Sequence, residues 1–235
     1  MQRITEPELM TEPEQALAYA NADFEAPHSR FIELFGSTFP DWSGRGRVLD
    51  LGCGPGDIAM RFARAYPECH VDGIDGARAM LEVGREILIK DASLQSRVNL
   101  LETLLPQDQP PHQAYDAVIS NSLLHHLHDP LVLWNAVRAY AKFDAPIFIV
   151  DLMRPDSPEE ANRLTDLYTA GEPDVLRRDF HASLHAAFTP DEVDQQLTTA
   201  GLIHLQVSAI SDRHLMVWGT PSCRIKPPFL ISTGR

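Results

Sequence analysis

Short apolar segments alternate with amphipathic segments along the chain from residue 47 onward. The apolar segments predict strands at 48–51, 69–74, 97–101, 116–120 and 146–151, and the amphipathic segments predict helices at 58–66, 77–90, 130–141 and 191–200. Continuous apolar strands that alternate with helices are typical of a parallel sheet buried on both faces. The pattern therefore predicts an α/β fold with helices covering both sides of the sheet.

Both ends of the chain and one internal segment depart from this alternation. Helices are predicted at 14–21 and 29–39, after a first dozen residues that we expect to be loose. Residues 157–187 are predicted to be a helical insertion after the fifth strand, and 203–209 with 214–219 a closing hairpin. We therefore expect an N-terminal helical cap (1–45), a sheet domain (46–220) that contains the insertion, and a C-terminal tail (221–235).

A glycine-rich loop follows the first predicted strand directly. The segment Asp50–Gly56 reads Asp-Leu-Gly-Cys-Gly-Pro-Gly, so an acid precedes glycines at alternate positions. Glycine is needed where the backbone has a positive φ or approaches a ligand closely, and a strand-to-helix loop directs backbone N–H groups at a ligand. Asp75 ends the second predicted strand ~20 residues further on, where a ribose-binding carboxylate belongs in a dinucleotide-type fold. Together these features predict a nucleotide-type cofactor site.

The details of the loop favour a cationic cofactor over a nicotinamide dinucleotide. The glycine spacing is Gly-x-Gly-x-Gly, whereas the pyrophosphate fingerprint is Gly-x-Gly-x-x-Gly. The Asp50 carboxylate would repel a pyrophosphate, but it would attract an amino group such as that on the methionine tail of S-adenosylmethionine (SAM).

Three segments resemble the motifs of class I (Rossmann-like) SAM-dependent methyltransferases. Val48–Gly56 resembles the first motif of the family nearly residue for residue, and Gly73–Asp75 resembles the second. Tyr115–Leu127 resembles the fourth-strand motif and the histidine-containing stretch after it. The resemblance covers about residues 46–219. It implies a doubly wound, mostly parallel seven-stranded sheet in the order 3-2-1-4-5-7-6, with the last strand antiparallel.

By this resemblance, SAM is the cofactor and several loops form its site. The loop acid and glycines would line the methionine and ribose side, Asp75 would bind the ribose, and Asn121 and Ser122 would lie near the sulfonium. The family commonly has an acid after strand three that receives the adenine amino group, and here Glu102 or Thr103 takes that place. The candidate cofactor-binding residues are Tyr19, Asp50, Gly52, Gly54, Gly56, Asp75, Gly76, Met80, Glu102, Thr103, Leu104, Asn121 and Ser122.

His125 and His126 are the candidate catalytic residues, because they follow the fourth predicted strand, at the edge where open α/β sheets bind ligands. Histidine titrates near neutrality, so either residue could act as a base; helix capping or local hydrogen bonding is the alternative. We expect no metal, since metal-binding histidines usually have a carboxylate or Cys partner. His181 and His185 are spaced i, i+4, but Ala182 stands where an HExxH motif requires glutamate.

The helical insertion is the place where the family often builds its acceptor pocket. Tyr168, Arg177, Phe180 and His181 are the candidates there, and Asp151 could point into the pocket from the end of the fifth strand. Arg177 could bind an anionic acceptor.

Charge and cysteine content limit the partners and the location. The chain has 235 residues, with 33 acidic and 20 basic ones and a formal charge of -13, which disfavours binding to nucleic acid. Three cysteines at these spacings form neither a disulfide framework nor a zinc site. Neither an N-terminal signal region nor an apolar run of membrane-spanning length is present, so we expect a cytoplasmic enzyme without a membrane partner. A monomer or a homodimer fits equally.

The leading interpretation is a SAM-dependent methyltransferase that acts on a small-molecule acceptor. A SAM-binding protein that transfers no methyl group and an enzyme that uses SAM for other chemistry would carry the same motifs. A methyltransferase acting on protein or RNA and an NAD-dependent oxidoreductase are less favoured.

Overall fold

The computed structural model describes residues 1–221 and contains a seven-stranded sheet. Its strands are β1 (Arg45–Leu51), β2 (Glu68–Asp75), β3 (Val98–Glu102), β4 (Ala117–Asn121), β5 (Ile147–Leu152), β6 (Gln206–Ala209) and β7 (His214–Gly219). They lie in the order β3-β2-β1-β4-β5-β7-β6. Neighbouring strands from β1 to β5 pair in parallel, whereas β7 is antiparallel to both β5 and β6. The expected strand order and the antiparallel last strand are confirmed.

Helices pack on both faces of this sheet. They are α1 (Pro13–Asn21), α2 (Glu25–Thr38), α3 (Asp57–Ala65), α4 (Arg78–Leu88), α5 (Leu131–Tyr140), α6 (Pro158–Tyr168), α7 (Asp174–Ala186) and α8 (Pro190–Thr199). The second helix begins four residues earlier than the predicted residue 29, so Pro27 lies within its first turn, where a missing N–H costs nothing. The predicted insertion is the helix pair α6 and α7, separated by a turn in which Gly171 has a φ of 89°.

Two apolar cores hold the helices to the sheet. On one face, Phe31 and Phe35 of α2 pack edge-on against Phe148 of β5, with ring centroids 5.0 and 5.6 Å apart. On the other face, Trp134 of α5 is fully buried and donates its indole N–H to Gln196 of α8. Since α2 packs in one of these cores, this helix of the predicted cap contributes to the stability of the sheet domain itself.

The first twelve residues, which we call the strap, are fixed to the sheet domain. The expectation that they are loose is wrong. Arg3 donates through Nε to the Ala186 carbonyl at 2.6 Å and through Nη2 to the carbonyls of His125 and Leu127 at 3.1 and 2.9 Å. Its guanidinium also lies 3.9 Å above the Phe188 ring. The strap therefore connects the end of α7 with the loop after β4.

Two further predictions concern domain boundaries, namely the end of the N-terminal cap and the start of the C-terminal tail. The division at residue 45 stays a prediction, and the predicted tail lies, from residue 222 on, outside the described residues. Among the residues described, none of the helices has the length and apolar character that crossing a membrane requires.

Candidate active site

A cavity of about 1340 Å³ opens at the carboxyl ends of β1, β2 and β4. This is the edge where ligands bind in open α/β sheets. Ligand pockets commonly measure roughly 300–1,000 Å³, so the cavity has room for more than one small molecule. The glycine loop forms its floor, the strap and α2 cover one side, and α7 with the turn between β6 and β7 covers the other.

The three loop glycines have positive φ angles but different surroundings. The φ values are 68°, 52° and 80° at Gly52, Gly54 and Gly56. A Cβ on Gly52 would lie 2.7 Å from Leu123, and one on Gly56 would lie 2.7 Å from Leu100, so packing within the protein requires both glycines.

The middle glycine is different because its space is left by the cavity. Of the residues that the structure describes, a Cβ on Gly54 would meet only Met80, whose methyl group would lie 3.5 Å away. Gly52 and Gly54 line the cavity, whereas Gly56 lies outside its lining and begins α3 in a left-handed conformation. Of the loop glycines, Gly54 is therefore the one whose side-chain space faces a ligand.

Asp75 connects the glycine loop to the end of β2. Its Oδ2 accepts a hydrogen bond from the Gly54 N–H at 2.8 Å, and its Oδ1 accepts one from the Ala77 N–H at 2.7 Å. Burial raises the pKa of this carboxyl, and the two backbone bonds oppose the shift. Each carboxylate oxygen can accept a further hydrogen bond, so the group can hold a pair of hydroxyls while it fixes the loop.

Asp50 carries a buried oxygen without a hydrogen-bond partner. The residue is 1% exposed, it lines the cavity, and its Oδ2 meets no donor among the described residues. Burial first, and then the charge of Asp75, raise the pKa of this carboxyl well above its usual range. An unpaired buried carboxylate is costly, and an ammonium group in the cavity would supply the missing donor. The site therefore fits the amino group of a methionine tail.

Most of the remaining cofactor candidates also line the cavity. Tyr19 does so from α1, with its ring 4.8 Å from that of Phe24, and burial raises the pKa of its hydroxyl to about 12. Gly76, Met80, Thr103, Leu104, Asn121 and Ser122 lie in the lining as well. Glu102 is exposed and outside the lining. Of the two candidates for the adenine contact, only Thr103 faces the cavity.

His125 is held by a buried carboxylate on β5. Its Nδ1 lies 2.6 Å from Oδ1 of Asp151, whose Oδ2 accepts the Leu124 N–H at 2.7 Å. Burial lowers the pKa of the imidazole, but the charges of Asp151 and then Glu6 outweigh it, and the pKa is raised overall. Asp151 is 1% exposed and lies behind His125, not in the cavity lining. The suggestion that it points into the pocket is therefore wrong.

The strap brings Glu6 to the same place. Glu6 Oε1 lies 3.2 Å from Nδ1 of His126 and 3.6 Å from Nε2 of His125, and Ser183 of α7 donates to the same carboxylate at 3.1 Å. Burial, followed by the charge of His125, lowers the pKa of His126 well below its usual range. Glu6, His125 and His126 all line the cavity. Sequence reasoning missed Glu6, because nothing in a proline-containing acidic segment signals a contact more than a hundred residues away.

Two of the four acceptor candidates on the insertion lie outside the main cavity. Tyr168 and Phe180 line it, but Arg177 forms an ion pair with Asp166 and lines a separate shallow depression. His181 lies in the same depression, with Nε2 3.0 Å from Oδ1 of Asn162. The helix turns these two side chains away from the sheet, so the expectation that they form the acceptor pocket is wrong.

Comparisons with known proteins agree with this fold and site. Residues 49–147 match a family model described as a methyltransferase domain. The chain is 36% identical over 118 residues to a trans-aconitate 2-methyltransferase of Variovorax paradoxus, covering 48% of this chain and 40% of the relative. It is 32% identical over 160 residues to the enzyme of that name from Methylobacterium nodulans, covering 66% and 57%. The chain thus spans about half the length of such curated relatives.

The solved structures show the same fold. The plantazolicin methyltransferase BpumL in complex with SAH superimposes with a TM-score of 0.67 at 19% identity, over 88% of this chain and 90% of that one. The fold and the cavity define a Rossmann-like protein with a cofactor site at the strand ends. With the match of residues 49–147 to the methyltransferase-domain model, they make the chain similar to class I SAM-dependent methyltransferases.

Proposed function

We propose that this cavity binds SAM and that the protein transfers the methyl group to a small-molecule acceptor. The observation that carries the proposal is the buried Oδ2 of Asp50 beside the glycine loop, which has no hydrogen-bond partner within residues 1–221. A cofactor with an ammonium group satisfies that oxygen, and its ribose hydroxyls match the acceptor positions left on Asp75. The Rossmann-like relatives support the same assignment, since BpumL was crystallised with SAH, the demethylated product.

SAM supplies a methyl group that is already activated by the positive sulfur. The contribution of this chain is to orient the two reactants and to exclude water, because methyl transfer is an in-line displacement. Tyr19 and the strap cover the cavity from above, and Asn121 and Ser122 lie at the end of β4, where we propose that the sulfonium sits. We propose that His125 and His126 lie beside the acceptor and assist the loss of its proton.

The charges in the cavity support an acceptor that is uncharged or cationic. The arginines in the lining are Arg30, Arg178 and Arg213. Each is already within 3.1–3.2 Å of a carboxylate, on Glu33, Asp179 and Asp212 respectively. Acids in the lining include Glu6, Asp50 and Glu172. A polycarboxylate such as trans-aconitate would find no free guanidinium among them.

The test measures the formation of SAH with SAM and a panel of acceptors. The panel contains catechol, an aromatic primary amine and trans-aconitate, and Asp75→Ala serves as the inactive control. We expect SAH formation with the phenol or the amine above the rate without acceptor, and none with trans-aconitate. Methylation of trans-aconitate at the highest rate would overturn the proposed acceptor class. A protein that binds SAM and methylates nothing in a widened panel would overturn methyl transfer itself.

A further inference from the structure

Three potential metal ligands converge where the strap meets the loop after β4. The donor atoms of Glu6, His125 and His126 all lie within 4.8 Å of one another. Oε1 of Glu6 is 3.2 Å from His126 Nδ1 and 3.6 Å from His125 Nε2. Two ligands on one tetrahedral ion, with bonds of about 2.0–2.2 Å, lie roughly 3.3–3.6 Å apart. The observed separations of 3.2 and 3.6 Å lie within about 0.1 Å of this range, so a small movement of the Glu6 carboxylate would make room for such an ion.

The protonation pattern of the two imidazoles favours a cation between them. Nδ1 of His125 lies 2.6 Å from the Asp151 carboxylate, which directs the proton of the neutral ring to Nδ1 and leaves the lone pair of Nε2 facing Glu6. Nδ1 of His126 is buried and has no hydrogen-bond partner among residues 1–221, although Glu6 is close. Lone pairs and a carboxylate that face one another repel unless a positive centre lies between them.

The surroundings also match those of a metal site. Metal-bound histidines almost always donate their other ring N–H to a carboxylate or carbonyl, which fixes the ring and its tautomer. Asp151 takes that position behind His125, and the Leu124 N–H holds Asp151 in turn. The carboxylate partner that a metal-binding histidine usually needs comes from the strap, as Glu6.

We propose that Glu6, His125 and His126 bind a divalent transition-metal ion of the zinc type. Two imidazoles and one carboxylate suit Zn²⁺ and Co²⁺, whereas Mg²⁺ prefers oxygen ligands. Three protein ligands leave one position of a tetrahedral ion open, as in catalytic zinc sites. Because all three residues line the cavity, the open position faces the space that the proposed function assigns to the acceptor. An oxygen or nitrogen donor there would lose its proton more easily.

The same ion would fix the strap over the cavity. Glu6 belongs to the strap, whereas His125 and His126 belong to the loop after β4, so the ion would bind only when the strap is closed. Metal binding should therefore protect residues 1–12 from hydrogen exchange.

The experiment titrates the chelator-treated full chain with ZnCl₂ by calorimetry and with CoCl₂ by visible absorption, without SAM. We expect about one ion per chain and an intense tetrahedral-type Co²⁺ spectrum. Glu6→Gln and His126→Asn should each weaken zinc binding by at least about tenfold. The matched controls are Glu8→Gln, a strap residue whose carboxylate accepts the His128 N–H, and His181→Asn, a histidine in the separate depression. The third control, Cys223→Ser, removes a thiol that could bind zinc elsewhere; position 223 lies outside the described residues.

The outcomes separate this proposal from the proposed function. Zinc binding that Glu6→Gln and His126→Asn lower and the three controls leave unchanged supports the site. Equal zinc affinity in wild type and Glu6→Gln, or an octahedral Co²⁺ spectrum, overturns it. SAH is titrated into the same samples: lost SAH binding in the wild type counts against the proposed function alone, and retained SAH binding in Glu6→Gln shows that this variant is folded.

Discussion

At the scale of single residues, the unpaired oxygen of Asp50 couples stability to cofactor binding. Its carboxyl has a raised pKa in the folded protein, so its charged form destabilises the fold, and this cost appears as pH rises from the usual carboxyl range, about 4, through the folded pKa. Asp50→Asn should therefore raise the free energy of unfolding of the ligand-free protein near pH 7 by about 1–3 kcal/mol.

The same substitution should weaken SAM binding by roughly tenfold or more, because it removes the charge that meets the ammonium group. Denaturant unfolding and calorimetry measure the two effects. The stability gain should vanish below about pH 4, where the wild-type carboxyl is protonated in both states. A variant that loses stability and keeps its SAM affinity would contradict this role for Asp50.

The loop glycines provide a second contrast at this scale. Both Gly54→Ala and Gly56→Ala pay for a positive φ, about 1–2 kcal/mol. Gly56→Ala adds a clash with Leu100, since its Cβ would lie 2.7 Å away, whereas the Cβ of Gly54→Ala finds open cavity. We expect the larger loss of melting temperature in Gly56→Ala and the larger loss of SAM affinity, relative to stability, in Gly54→Ala. The reverse ranking would mean that the ligand does not approach Gly54.

At the scale of elements, the strap is the part that sequence reasoning got wrong. Strands and helices were predictable because their periodicity reports burial directly, and β1, β2 and β7 end within a residue of the predicted limits. The strap has no periodicity, since it is held by Arg3 donating to three carbonyls and by Ile4 donating to His185. Likewise β6 begins at Gln206 and not at residue 203, because a turn closed by the Leu205 N–H and the Leu202 carbonyl precedes it.

Removing the anchor of the strap should open it without unfolding the sheet. Arg3→Ala deletes three hydrogen bonds from a charged donor and its contact with Phe188. We expect faster hydrogen exchange in residues 1–12, by roughly tenfold to a hundredfold for a local loss of about 1–3 kcal/mol. The exchange of β1 and β4 should not change. Arg78→Ala, which removes an exposed pair with Glu82, is the matched control and should leave the strap protected.

At the scale of the whole molecule, the fold and most of the cofactor cavity followed from the sequence. The strand order was predicted from the resemblance of three segments to methyltransferase motifs. Asp50, Gly54 and Asp75 were predictable as neighbours because they lie close in sequence or at the ends of adjacent strands. The side of the cavity away from the glycine loop did not follow, because it forms from the strap, α7 and the β6–β7 turn. Whether a helical residue such as Arg177 faces that cavity depends on the packing of α7, which no local pattern reports.

Calorimetric titration of the full chain with SAM, SAH and NAD in parallel tests most directly whether the cavity binds SAM. We expect micromolar binding of SAM and SAH, about one molecule per chain, with no heat from NAD. Asp75→Ala should weaken SAM binding by roughly tenfold to a hundredfold, because the ribose and the Gly54 N–H lose the same carboxylate. Binding of NAD, or of none of the three, would contradict the assignment of this cavity to SAM.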